Sequence, residues 1–118
     1  MKAFRGRVVH GDGVGRKLGF ATANMKLAPS DMEKVPRGVW KVLVRGTTLG
    51  ERVGACNVGV RPTMGGLKLV VEVHVPGWKG DLYGRTLSLE FVSKIRDERK
   101  FPSFDALKAQ IARDVASL

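Results

Sequence analysis

The sequence predicts a small all-β domain, an antiparallel barrel or sandwich, closed at its carboxyl end by one helix. Five segments alternate between apolar and polar residues with the period of two that a half-buried strand requires. Glycine-bearing turns separate these segments, and residues 103–118 change to the spacing of an amphipathic helix. The 118 residues suffice for one hydrophobic core, so we expect a single domain over residues 1–118.

The first predicted strand covers residues 2–10. Phe4 and Val8 face one side of it, and Arg5 and Arg7 face the other. The later segments repeat this alternation between turns such as Arg-Gly-Thr-Thr and Pro-Gly-Trp-Lys-Gly. They are residues 39–44, 53–58, 67–75 and 82–92. Short strands in this number favour a barrel or a sandwich over a single open sheet.

The carboxyl-terminal helix has both a start signal and an apolar face. Ser103 is the expected N-cap, and Asp105 suits the positive end of the helix dipole. The apolar stripe consists of Phe104, Leu107, Ile111, Val115 and Leu118. We expect this stripe to pack on the sheet and not to bind a partner.

Composition excludes several classes of protein. The chain has no apolar run near the twenty residues of a transmembrane helix, and its first residues lack the pattern of a signal peptide. Its one cysteine, Cys56, excludes an internal disulfide, and two histidines are few for a structural zinc cluster. We therefore expect a protein of the reducing cytoplasm with no membrane partner.

The net charge of +10 favours anionic partners: nucleotides, nucleic acid or an acidic surface. Residues 1–50 hold ten cations and three anions, whereas residues 51–118 hold eleven and eight. The positive excess therefore lies in the amino-terminal half. A basic surface that serves only solubility is the alternative interpretation.

The segment GDGVGRKLGFATANM, residues 11–25, carries the most informative chemistry. Its glycines let backbone N–H groups approach a ligand closely, and successive N–H groups form a concavity suited to phosphate oxygens. Arg16 and Lys17 add positive charge, and the oxygens of Thr22 and Asn24 are hard ligands that suit Mg²⁺. The segment predicts a site for a metal-bound polyphosphate. A solvated turn is the alternative, because neither the dinucleotide-binding glycine pattern nor a Walker A loop is present.

One carboxylate stands out among the predicted strands. In residues 69–75 the period of two puts Val71, Val73 and Val75 on one face and Glu72 with His74 on the other. A carboxylate beside so apolar a surface is a candidate general base. A solvent-facing Glu on an amphipathic strand is the alternative.

A second cluster of candidate site residues is Arg-Asp-Glu-Arg-Lys-Phe, residues 96–101. An arginine and a phenylalanine at the edge of a cleft are suited to stacking on a flat heterocycle. A solvated connector with local ion pairs is the alternative.

Five blocks, taken together, resemble the riboflavin kinase family, and most of all the kinase module of bacterial bifunctional FAD synthetases. They are residues 11–25, 57–63, 71–74, 80–85 and 95–101. The blocks occur in the family's order and spacing over nearly the whole chain. The resemblance implies transfer of the ATP γ-phosphate to the ribityl 5′-hydroxyl of riboflavin, giving FMN and ADP. It also implies a six-stranded antiparallel Greek-key barrel with a C-terminal helix.

The resemblance also implies roles for single residues. The implied ATP-binding residues are Gly11, Gly13, Gly15, Arg16, Thr22, Val75 and Tyr83. Thr22 and Asn24 match the residues that hold Mg²⁺ or another divalent ion, and Glu72 matches the base that deprotonates the attacking hydroxyl. The implied flavin-binding residues are Arg96, Arg99 and Phe101.

Two departures from the family pattern qualify these expectations. Ala21 replaces a proline before Thr22, which removes a fixed φ and leaves the metal-binding residues less well preset. The adenylyltransferase domain that usually precedes this module in bacteria is also missing, so the chain is either a free-standing kinase, which its start on Met1 favours, or a piece of a bifunctional protein. For a free-standing kinase we expect no FAD synthesis and a separate FMN adenylyltransferase downstream. A flavin-binding module without catalysis and, less favoured, a basic nucleic-acid-binding small β-barrel are the alternatives.

Overall fold

The computed structural model describes residues 3–10, 22–47, 49–78 and 81–118. Within these ranges the chain forms six strands and two helices. The strands are β1 (Ala3–Val9), β2 (Thr22–Leu27), β3 (Gly38–Gly46), β4 (Gly50–Thr63), β5 (Gly66–His74) and β6 (Thr86–Arg96). The helices are the one-turn α1 (Pro29–Met32) and α2 (Phe104–Ala116).

The six strands close into an antiparallel barrel in the order β1-β2-β5-β4-β3-β6. Strands β3, β4 and β5 follow one another as hairpins, and β6 returns to pair with β3. This order is a Greek key. The barrel expected from the family resemblance is therefore confirmed.

The barrel interior is filled by side chains that alternate inward along the strands. The most enclosed of them are Val42, Val44, Cys56, Val58 and Leu89, all fully buried. Phe4 and Trp40 meet the ring of Phe91 edge-on, with centroids 5.6 and 5.9 Å away. The interior is thus a packed core, and the polar positions of the same strands face outward.

Strand β2 is the element that sequence periodicity missed. Its outward residues Thr22 and Asn24 are polar and follow a glycine-rich stretch, a pattern typical of a loop and not of a strand. Its inward residues Met25 and Leu27 are both buried. The strand therefore exists because these two side chains complete the core.

Strand β6 begins later than predicted, at Thr86 and not at residue 82. The intervening residues form a turn in which the backbone N–H of Tyr83 donates to the Asp81 carboxylate, at 2.8 Å. Gly84 follows with a φ of +79°, a conformation that other residues rarely adopt.

Helix α2 begins as predicted, because the Ser103 hydroxyl accepts a hydrogen bond from the N–H of Ala106 at 3.1 Å. Its predicted apolar stripe is only half-buried, and Phe104 is 66% exposed. The one buried residue of the helix is the charged Asp114. An ion pair therefore takes part in holding this helix to the barrel, in addition to apolar packing.

Neither helix in the described ranges combines the length and the hydropathy of a membrane-spanning segment.

Burial raises the pKa of the Cys56 thiol, and the nearby Glu72 carboxylate adds to the rise. In the unfolded chain a thiol loses its proton near pH 8.5. Above that pH the native state keeps a proton that the unfolded state has lost, so we expect the free energy of unfolding to fall by about 1.4 kcal/mol per pH unit from this group. Below pH 8.5 the group contributes no pH dependence.

Urea denaturation at several pH values between 8 and 10 measures this effect. The Cys56→Ala variant is the control, because it lacks the thiol and should lose stability less steeply as the pH rises. Identical slopes for the two proteins would contradict the prediction.

Candidate active site

A row of polar side chains crosses three adjacent strands on the outside of the barrel. Glu72 on β5 pairs with Asn24 on β2 and with Asn57 on β4. Paired residues of antiparallel strands point to the same face, with Cβ atoms about 5 Å apart. Three oxygen-bearing side chains therefore lie side by side.

The next row along the barrel brings in a second candidate residue. Thr22 pairs with His74, two residues from Glu72 and on the same face of β5. Thr22, Asn24 and Glu72, which the sequence singled out separately, are thus brought together. Val71 and Val73, between and beside the polar positions, point into the core and are buried.

The Glu72 carboxylate lies in a sheltered, charged environment. Its side chain is only 14% exposed, and its Oε1 lies 3.4 Å from Nη2 of Arg61. The other Arg61 nitrogen, Nη1, donates to Oε1 of Glu98 at 2.5 Å. The Glu72 side chain is therefore largely sheltered, although it lies on the outer face of the strand.

Asn57 adds an acceptor that the sequence analysis did not single out. Its Oδ1 is buried and accepts no hydrogen bond from the described residues. A buried acceptor without a donor is costly, so such an atom is suited to a ligand. It lies in the row with Glu72 and Asn24.

The donor set in these rows fits a hard divalent cation. It consists of the neutral oxygens of Thr22, Asn24 and Asn57, and the Glu72 carboxylate lies beside it. Mg²⁺ prefers oxygen ligands and keeps several waters or phosphate oxygens. The described residues hold no cluster of three His, Cys, Asp or Glu side chains that would form a metal site without a substrate.

Most of the glycine-rich segment, residues 11–21, lies outside the described part of the chain. Gly11, Gly13, Gly15, Arg16 and Ala21 lie outside the described residues. The described chain stops just before them at His10, whose ring stacks on that of Tyr83 with centroids 3.9 Å apart. The half-exposed Tyr83 therefore lies where the segment begins.

The two remaining nucleotide candidates differ in environment. Tyr83 is 52% exposed and so is accessible to a ligand, whereas Val75 is buried among the core residues. Val75 can therefore contribute only to the inner wall of a pocket.

The three flavin candidates form one cluster. The guanidinium groups of Arg99 and Arg96 lie over the Phe101 ring, 4.8 and 5.5 Å from its centroid. Arg96 also makes a forked ion pair with the buried Asp114 of α2, with Nε and Nη2 at 3.0 and 2.9 Å from its carboxylate oxygens. Arg96 thus has a structural partner that sequence reasoning did not find, because the two residues are 18 positions apart.

A cavity of about 380 Å³ lies elsewhere, between the end of α2 and the barrel. It is lined by Lys41, Arg52, Val53, Pro76, Val115 and Leu118. It shares no residue with the rows around Glu72.

Comparison with known proteins adds an independent finding. The family model described as riboflavin kinase matches residues 2–118. The bifunctional riboflavin kinase/FMN adenylyltransferase of Escherichia coli (strain K12) is 48% identical over 114 residues, which are 95% of this chain and 35% of that protein. The chain thus spans about a third of the length of the bifunctional curated relatives it matches.

Two solved structures resemble the barrel. The structure titled macrolide-efflux protein from Streptococcus pneumoniae has a TM-score of 0.83 and 32% identity, covering 97% of this chain and 37% of that chain. The riboflavin kinase from Trypanosoma brucei has a TM-score of 0.66 and 28% identity, covering 98% of this chain and 72% of that chain.

The ion pair between Arg96 and Asp114 should contribute measurably to stability. Asp114→Ala leaves a largely buried guanidinium without its partner, so we expect a loss of about 3 kcal/mol in the free energy of unfolding. Chemical denaturation followed by circular dichroism measures this loss. Asp105→Ala, on the exposed first turn of the same helix, is the control and should cost about 1 kcal/mol or less. Equal losses would show that Asp114 has no special role.

Proposed function

Because the chain belongs to the riboflavin kinase family, we propose that it transfers the γ-phosphate of ATP to the ribityl 5′-hydroxyl of riboflavin. The products are FMN and ADP. The observation that carries the proposal is the direct pairing of Glu72 with Asn24, with Thr22 on the same outer face. This arrangement brings a base beside the hydroxyl and amide side chains that the family resemblance assigns to the metal-nucleotide.

Glu72 acts as the general base in this proposal. Its carboxylate accepts the proton of the 5′-hydroxyl, the hydroxyl oxygen forms a bond to the γ-phosphorus, and the bond to the ADP oxygen breaks. Phosphoryl transfer depends mainly on in-line positioning and charge neutralisation, with a base near the nucleophile. The low exposure of Glu72 supports this role, because few water molecules can surround a sheltered carboxylate and compete with the substrate hydroxyl for it.

Thr22 and Asn24 would hold Mg²⁺ or another divalent ion, and the Oδ1 of Asn57 is a further acceptor beside them. When bound, such an ion neutralises negative charge on the phosphate oxygens. Because these side chains are neutral, the protein alone has little charge with which to hold a cation. We therefore expect the ion to bind together with the nucleotide.

The nucleotide would lie at the end of the barrel where β1 leads into the glycine-rich segment. Gly11, Gly13 and Gly15 supply backbone N–H groups for its phosphates, and Arg16 supplies charge. Tyr83, stacked on His10, offers an accessible ring at the start of that segment, with Val75 behind it.

Riboflavin would lie against the cluster of Arg96, Arg99 and Phe101. A ring flanked by guanidinium groups presents flat, cationic surfaces for an aromatic ligand. The guanidinium of Arg96 is already paired with the Asp114 carboxylate. We therefore assign direct stacking on the flavin to Phe101 and Arg99, and assign to Arg96 the placement of the Phe101 ring.

Only the kinase activity is proposed for residues 1–118. The second activity named in the bifunctional relatives lies outside this proposal.

Incubation of the protein with riboflavin, ATP and Mg²⁺ should produce FMN and ADP in equal amounts, measured by chromatography with fluorescence detection. Glu72→Gln should lower kcat by about 10²- to 10⁴-fold, because it removes the base and keeps the side-chain shape. Nucleotide affinity should be retained. Glu33→Gln, an exposed carboxylate outside the site, is the control and should leave kcat unchanged.

Two outcomes would contradict this assignment in different ways. Near-normal turnover by Glu72→Gln would remove the base role alone. Tight binding of FMN by the wild-type protein without any ATP consumption would instead identify a flavin-binding module.

A further inference from the structure

Arg61 lies between two carboxylates and has no role in the function proposed so far. We propose that Arg61 is a positioning residue, which holds the Glu72 carboxylate toward the attacking hydroxyl and is itself held by Glu98 across Gly59. This inference rests on the proposed function, because it needs Glu72 to be the base.

Arg61 and Glu72 are not directly opposite each other in the strand register. Arg61 pairs with Lys68, whereas Glu72 pairs with Asn57, four residues earlier on β4. At the rise of an extended strand, four residues span about 13 Å. The two side chains meet only by leaning toward each other along the outer face, over Gly59. Their contact at 3.4 Å therefore requires both side chains to lie along the outer face of the strands.

Gly59 provides the space for this arrangement. A Cβ added at residue 59 would overlap the carboxylate of Glu98. Glu98 can therefore lie directly on the strand, where its Oε2 accepts a hydrogen bond from the Val60 N–H at 3.2 Å. Arg37 lies near the same oxygen, at 3.8 Å.

The two contacts of Arg61 differ in length, which indicates what each one does. The Nη1 of Arg61 donates a charge-assisted hydrogen bond to Oε1 of Glu98, at 2.5 Å. Its Nη2 is 3.4 Å from Glu72, a looser contact. Glu98 thus fixes the planar guanidinium, and the guanidinium in turn limits rotation of the Glu72 carboxylate.

The low solvent exposure of these three side chains distinguishes them from an ordinary surface ion pair. The side chains of Glu72, Glu98 and Arg61 are 14%, 23% and 34% exposed. Fully solvated pairs contribute little and are easily rearranged, whereas partly sheltered ones keep their geometry. A misplacement of a reacting group by about 1 Å can cost about 10²-fold in rate.

The first experiment compares Arg61→Met with Arg61→Lys in the FMN assay. We expect Arg61→Met to lower kcat by about 10²-fold, with the KM for ATP and for riboflavin changed by about twofold or less. Arg61→Lys should recover part of kcat, because it restores charge without the forked geometry. Arg45→Met is a matched control: Arg45 also lies between two carboxylates, Glu51 and Glu90, at 2.7 and 3.3 Å, and its loss should leave kcat unchanged.

The second experiment tests the order of the contacts. Gly59→Ala displaces the Glu98 carboxylate without removing any charge, and Glu98→Gln weakens its hold on Arg61. Each should lower kcat by about tenfold alone and have no further effect in the Arg61→Met background. Gly65→Ala is the control for the added methyl group, because no atom lies within 4 Å of it.

Melting temperatures identify variants that fail to fold. If Arg61→Met does not fold, the kcat values of Gly59→Ala and Glu98→Gln decide the question. Wild-type kcat in Arg61→Met, or in both of those variants, would overturn this inference. So would fully additive effects in the double variants, or losses that appear in KM and not in kcat. If Glu72→Gln is inactive and Arg61→Met is fully active, this inference fails and the proposed function stands. If the wild-type protein forms no FMN, the proposed function itself fails.

Discussion

The pairing of β5 with β2 on one side and β4 on the other is the constraint on which the candidate site depends. This register sets Glu72 between Asn24 and Asn57 and puts Thr22 one row away. A slip of one residue would turn Glu72 into the core and Val73 outward, because side chains alternate along a strand. The buried valines of β5 oppose that slip, so the same packing that stabilises the barrel also orients the carboxylate.

The inner face of the barrel therefore provides stability, and the outer face carries the candidate site. The inner face is a packed apolar core, whereas the outer face of β2, β4 and β5 carries oxygen-bearing side chains in adjacent rows. Charged residues that lie close in space but far apart in sequence connect these rows to the rest of the molecule. Glu98 follows β6 and reaches Arg61 on β4, and Arg96 joins the end of β6 to α2 through Asp114.

Much of the fold was predictable because alternation and capping are local signals. The five strands read from periodicity are present, and Ser103 caps α2 as expected. Strand β2 was missed because its polar outer residues follow a glycine cluster, and only tertiary packing of Met25 and Leu27 makes it a strand. Glu72, Thr22 and Asn24 were identified from residue type, yet their adjacency needed the register. Arg61, Glu98 and Asp114 could not be found locally, because their contacts join residues 37 and 18 positions apart.

Closure of the barrel has a consequence for how local motion is distributed. Residues 71–74 of β5 pair with β2 on one side and with β4 on the other, so this part of the strand has no free edge from which it could peel away. Separating it requires two ladders to open at once, which amounts to opening the whole domain. Amide protons of residues 71–74 therefore belong to the slowest-exchanging class, whereas α2 is attached to the barrel by the Arg96–Asp114 ion pair and a half-buried apolar stripe. Glu72, the proposed base, is thus mounted on a segment held from both sides, whereas Arg96, a proposed flavin-binding residue, contacts the less enclosed helix α2.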